Sequence, residues 1–156
     1  MDEDLKDRPA VNKHIHPPIV AFFYIVLAVL LGRFIPTPFP HYLRMLGLGL
    51  IVAGLLLGVG AFHEFRKAHT TLDPHGSVAA LVTEGPYQFT RNPIYLGFAL
   101  MVVGFPLNAG SYSGIVVAPL FMFTLNYLVI EKEEAYLEGK FGQAYTDYRS
   151  RVRRWL

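Results

Sequence analysis

Apolar runs alternate with polar stretches along this chain, the runs covering residues 19–35, 43–62, 93–107 and 112–130. Each is close to the roughly 17 to 25 residues that a helix needs to cross a hydrocarbon core. The pattern predicts an all-α fold, a polytopic membrane helix bundle of about four transmembrane helices with a cytosolic C-terminal helical segment. Between the first two runs, Pro36-Thr37-Pro38-Phe39-Pro40 forces a tight extended link, because each proline removes a donor and disfavours helix at the residue before it. The second run carries Gly47, Gly49, Gly54, Gly58 and Gly60. Gly54 and Gly58 form a GxxxG pair, which lets another helix approach closely, and packing within the chain is favoured over dimerisation. The third run ends in Gly104-Phe105-Pro106, and Pro119 can kink the fourth.

Composition supports the membrane reading: 53% of residues are hydrophobic and only 17% charged, well outside the usual balance of a soluble domain. The absence of cysteine excludes disulfides, thiolate metal sites and a cysteine nucleophile. A net charge of +2 is too small to argue for nucleic acid, so the placement of charge matters more than its sum. With four spans, one side holds every basic residue except Arg33 and Arg44. The positive-inside rule then puts both termini and the segment 63–92 in the cytoplasm. No stretch combines a basic start, a short apolar core and a small-residue cleavage site, so no removable signal peptide is expected. The expected organisation is a cytoplasmic tail over residues 1–18 and a single membrane domain over 19–156, with its functional part in 79–156.

Two polar blocks are predicted to share the cytoplasmic face. The first, Leu81 to Gly97, holds a Gly85-Pro86 turn, the cation of Arg91, and Asn92-Pro93, a helix start in which Asn92 can cap and Pro93 suits the first helical position. The second begins at Glu131-Lys132-Glu133-Glu134 and continues through Phe141-Gly142-Gln143-Ala144-Tyr145-Thr146-Asp147-Tyr148-Arg149. On a helix Glu133 shares a face with Leu137, while Glu134 is rotated by about 100°. One glutamate is therefore expected to point toward the Arg91 and Tyr95 region and the other to cap or meet solvent. His63, His69 and His75 are spaced too widely for one helical turn, and Asp73-Pro74 breaks any helix between them, so no metal site is expected.

Leu81-Val82-Thr83-x-Gly85-Pro86-Tyr87-x-x-x-Arg91-Asn92-Pro93-x-Tyr95-x-Gly97, a hydrophobic hairpin, Glu133-Glu134-x-x-Leu137 and Phe141-Gly142-x-x-Tyr145-x-x-Tyr148-x-x-Arg151-Val152 together resemble the isoprenylcysteine carboxyl methyltransferase and phospholipid methyltransferase superfamily, from about Ala79 to the end. The resemblance implies an S-adenosylmethionine-dependent methyltransferase embedded in the membrane, acting on a lipophilic or small acceptor through a carboxyl, amine or thiol. Carried over, Leu81, Val82, Tyr87, Asn92, Pro93, Tyr95 and Glu133 are the cofactor-binding positions, with Leu81 and Val82 an apolar wall for adenine and Glu133 a partner for ribose or ammonium. Arg91 and Glu134 are the catalytic candidates, and Glu134, His63 or His69 would take a proton from a thiol or ammonium acceptor. Arg66 and Arg149 are candidates for the acceptor's carboxylate. Asn92 departs from the family's histidine and cannot titrate, and Val129 stands where the eukaryotic prenylcysteine enzymes carry a substrate-binding arginine. The tail Arg151-Val152-Arg153-Arg154-Trp155-Leu156 lacks the family's proline after its valine. Two other readings stay open: a membrane reductase of the sterol-reductase type using NADPH, and a non-catalytic scaffold that holds a partner or anionic lipid through the GxxxG face and basic tail.

Overall fold

The computed structural model describes residues 15–34, 38–69 and 78–156. The expectations for most of the N-terminal tail, for Pro36 and Thr37 of the proline link, and for Asp73, Pro74 and His75 lie outside the described residues. Among the described residues every regular element is helical: α1 Pro17–Phe34, α2 His41–Lys67, a 3-10 turn Gly85–Gln88, α3 Pro93–Ala109, α4 Ser113–Leu125, a π-helical turn Asn126–Ile130, α5 Glu131–Phe141 and α6 Gln143–Arg151. The helix from Ser113 through the π turn to Phe141 is continuous. It, α1 and α2 are long and apolar enough to cross a membrane, whereas α3 is apolar but shorter, at 17 residues. The protein is an integral membrane protein built of such helices.

Contacts divide the described chain into two compact units, one of residues 16–58 and 94–125, the other of 59–93 and 126–156. In the first, α1 packs along α4. Tyr24 and Thr124 share a hydrogen bond of 2.7 Å, and Ser113 Oγ donates to the Ala28 carbonyl at 2.6 Å. The Tyr24 ring meets Phe121 edge-on at 5.5 Å between centroids. These few polar pairs hold apolar helices together where hydrocarbon offers no hydrophobic drive between them.

Small residues set the α2–α3 crossing. A Cβ on Gly97 would lie 2.6 Å from the Gly54 carbonyl oxygen, and one on Gly104 would lie 2.8 Å from that of Gly47. Gly54 of the GxxxG pair is thus spent inside the chain, while Gly58 faces open space. Helix α3 also runs past Pro106 to Ala109, beyond the expected end of the run. Pro106 deprives the Val102 carbonyl of its helical donor, and Gly114 lies so close that a Cβ there would meet that oxygen at 2.5 Å. The chain then leaves the helix at Gly110, whose φ of +93° suits glycine.

Candidate functional site

The second unit contains an open cleft of about 450 Å³ lined by Glu64, Lys67 and Ala68 from the end of α2 and by Leu81–Gly85 from the following loop. Two glycines let the loop approach α2. A Cβ on Gly60 would meet Pro86 Cγ at 2.9 Å, and one on Gly85, whose φ is +58°, would meet Glu64 Cγ at 2.8 Å. The Lys67 ammonium donates to Glu64 Oε1 at 2.9 Å, and Gln88 Nε2 donates to Glu84 Oε2 at 3.0 Å. The cleft therefore offers two carboxylates, one ammonium and the apolar side chains of Leu81 and Val82. Upstream of the cleft, the Val78 N–H donates to the Tyr136 hydroxyl of α5 at 3.1 Å, which ties this residue to that helix.

Beside the loop, Tyr87 is buried on the 3-10 turn. Its ring lies 5.6 Å from that of Phe65, and its carbonyl accepts the buried Tyr148 hydroxyl at 2.7 Å. Burial, with the nearby Tyr148 and Glu133, raises the Tyr87 phenol far above its ordinary range, so it stays protonated. Glu133 itself is half-buried. Burial likewise pushes the Tyr145 phenol up to about 12, with Glu134 adding to the rise.

The glutamate that turns fully inward is Glu134, which is buried against two guanidiniums. Arg91 Nη2 and Nε donate to its Oε1 at 2.7 and 3.2 Å, and Arg154 Nη2 donates to its Oε2 at 2.6 Å. Glu134 follows the apolar part of its helix, which ends at Ile130. Burial alone would raise its pKa, but the hydrogen bonds from Arg154 and Arg91 outweigh that and hold it below the usual carboxylate value. A carboxylate so held is a poor proton acceptor. Arg91 spends its remaining donor, Nη1, on the Val152 carbonyl at 2.7 Å and the Arg149 carbonyl at 3.3 Å. The two side chains predicted to do chemistry are thus engaged with each other and with the C-terminal backbone.

That backbone runs along residues 90–92. The Arg91 N–H donates to the Arg153 carbonyl at 2.9 Å, and Thr90 Oγ1 and Asn92 Nδ2 both donate to the Arg154 carbonyl at 3.0 Å. Asn92 thereby uses a neutral donor where a titrating ring is not needed. Pro93 is buried as the first residue of α3. Tyr95, two residues further on and in the other unit, is half-buried. Arg66 is exposed, 5.9 Å above the Phe62 ring centroid, and Arg149 is exposed and paired with Glu138 at 3.0 Å. Val129 is buried in the π turn, with no cation at that position. Among the described residues no group of three metal-ligating side chains comes together, and His75 lies outside them.

Sequence reasoning missed Glu64, Glu84 and Lys67 in the cleft, and Arg154 beside Glu134. Nothing in a polar inter-span segment distinguishes a lining carboxylate from a solvated one. Arg154 was hidden in a basic tail that reads equally well as a topology signal.

A family model described as Phospholipid methyltransferase matches residues 42–144. The chain is 35% identical over 107 residues to the Schizosaccharomyces pombe Protein-S-isoprenylcysteine O-methyltransferase, a match covering 67% of this chain and 45% of that protein. It is 33% identical over 117 residues to the Arabidopsis thaliana Protein-S-isoprenylcysteine O-methyltransferase B, covering 68% of this chain and 55% of that one. The chain thus spans about half the length of these curated relatives. An uncharacterized Haemophilus influenzae protein matches over its whole length, at 36% identity over 63 residues of this chain.

Proposed function

The chain belongs to the phospholipid methyltransferase family, and from that premise we propose that it is an S-adenosylmethionine-dependent methyltransferase acting on a lipophilic acceptor at the membrane interface. The observation that carries this reading is the charge of the 450 Å³ cleft. Its size suits a small-molecule cofactor, for which pockets run from roughly 300 to 1,000 Å³. S-adenosylmethionine bears a sulfonium, an ammonium and a carboxylate, two positive charges and one negative. Glu64, Glu84 and Lys67 present the complement. NADPH, with its pyrophosphate and 2′-phosphate, would meet two carboxylates with a single cation, which disfavours the reductase reading.

In this assignment Leu81 and Val82 flank the adenine, Glu64 and Glu84 take the ammonium or ribose hydroxyls, and Lys67 takes the carboxylate. Glu133, Tyr87, Asn92, Pro93 and Tyr95 remain the family-matched cofactor positions. Once bound, the cofactor supplies an electrophilic methyl group for in-line transfer. The protein's share is alignment, which can supply roughly 7 to 11 kcal/mol. The Arg91–Glu134 pair acts by fixing the framework rather than by moving a proton, and His63 and His69 are the proton acceptors left for a thiol or ammonium acceptor. Orientation follows the basic residues, with both termini and the cleft on the cytoplasmic side. The buried Val129 leaves a prenylcysteine carboxylate without the cation expected there, so Arg66 or Arg149 is proposed to meet an acidic acceptor.

The test is transfer of a radiolabelled methyl group from S-adenosylmethionine to a membrane lipid extract and to a prenylcysteine analogue. Label in the organic phase, lost in Glu64→Gln together with Glu84→Gln, supports the reading. No transfer to any lipophilic acceptor by protein that binds the cofactor would count against it.

A further inference from the structure

The π-helical turn Asn126–Ile130 separates two side chains that bind one guanidinium. Arg154 Nη1 donates to Asn126 Oδ1 at 2.8 Å, while its Nη2 and Nε donate to Glu134 Oε2 and Oε1 at 2.6 and 3.0 Å. Residues 126 and 134 are eight apart in sequence. On an unbroken α-helix eight steps of about 100° would leave them about 80° apart, but a π turn absorbs one residue and brings them to within about 20°. The shared guanidinium thus fits the register that the π turn sets.

Relaxation of the turn to α geometry would advance everything beyond it by about 100°. Glu133 would then occupy the place of Glu134, opposite Arg91, and Glu134 would move to the exposed place of Ala135. Because adjacent positions both carry glutamate, either register supplies Arg91 with a carboxylate. Charge pairing with Arg91 alone cannot choose between them. Asn126 and Arg154 can, since Asn126 lies at the start of the turn and Glu134 beyond it. Asn126 Nδ2 also reaches Glu131 Oε1, at 3.4 Å, which ties the same amide to the first turn of α5.

We propose that Arg154, gripping Asn126 and Glu134 across the π turn, is a positioning residue that selects Glu134 as the partner of Arg91 and keeps Glu133 out of that place. It acts through the helix and not on a substrate. The proposal rests on the methyltransferase reading only for its binding readout.

The experiment is a set of substitutions in the full chain in nanodiscs, read first without ligand. In the wild-type background Glu134→Gln is expected to lower the thermal midpoint by at least about 5 °C and Glu133→Gln by less than about 2 °C. In an Arg154→Ala background the order reverses, because Glu133 has become the buried partner. Deleting the exposed Tyr127 in that background removes the extra residue, leaves seven α steps between Asn126 and Glu134, and restores the original order. If Arg154→Ala does not fold, Arg154→Lys serves, since an ammonium keeps the charge without the fork that spans both partners. Binding of S-adenosylmethionine should weaken by about 10-fold in Arg154→Ala and recover to within about 3-fold on the deletion, the scale of one charged hydrogen bond. If Glu134 stays the sensitive position without Arg154, the proposal is overturned. Wild-type protein that fails to bind S-adenosylmethionine would sink the cofactor reading instead, and the thermal order would still decide the register.

Discussion

Glu134 shows how a residue's surroundings redirect its chemistry. Its carboxylate is buried between Arg91 and Arg154, and removing one member of such a buried set typically costs about 3 to 5 kcal/mol because the others are left uncompensated. Arg91→Ala is expected to destabilise the fold on that scale in denaturant titrations of the detergent-solubilised protein. The linkage to pH follows from the direction of the shift. The folded-state pKa of Glu134 lies below its ordinary value of 4.5, so its contribution is fully present above that value and disappears as pH falls through the folded pKa. The thermal midpoint should therefore drop on acidification below about pH 4.5, and Glu134→Gln should flatten that part of the profile. That Arg91 and a glutamate would meet was legible from the two motifs. Which glutamate would turn inward was not, because helical phase counted from the sequence assumes an unbroken α-helix and the π turn shifts it by one residue.

At the level of elements, the glycines separate into those that a neighbour touches and those that face open space. Gly97→Ala would drive a Cβ to 2.6 Å from the Gly54 carbonyl. Backbone cannot yield as a side chain can, so we expect a loss of about 1 to 3 kcal/mol. Gly58→Ala, with nothing nearby, should be neutral or slightly stabilising through helix propensity; equal effects of the two in a denaturation series would contradict the packing described. The apolar runs were readable because hydrocarbon selects for continuous hydrophobicity, but the end of α2 was not. There the helix continues through His63 to Lys67, since charged residues at a membrane boundary do not interrupt a helix. The cleft depends on that extension, because it delivers Glu64 and Lys67. It also depends on Gly85 at φ +58°. Gly85→Ala would strain the backbone and press on Glu64, and it should weaken cofactor binding by about 10-fold or more, measured by calorimetry.

For the molecule as a whole, membrane class and family were legible from long-range regularities that survive without coordinates: apolar run length and two polar motifs in fixed order. The cleft was not, because it joins the end of one helix to a loop that sequence presents only as polar, and its signature is the balance of two carboxylates against one ammonium. That balance discriminates between cofactors of opposite charge. Calorimetric titration of the purified protein in nanodiscs with S-adenosylmethionine and, in parallel, with NADPH separates the two. S-adenosylmethionine is expected to bind at micromolar concentration, more weakly in Glu64→Gln, and NADPH not at all; saturable NADPH binding with none of S-adenosylmethionine would overturn the methyltransferase reading.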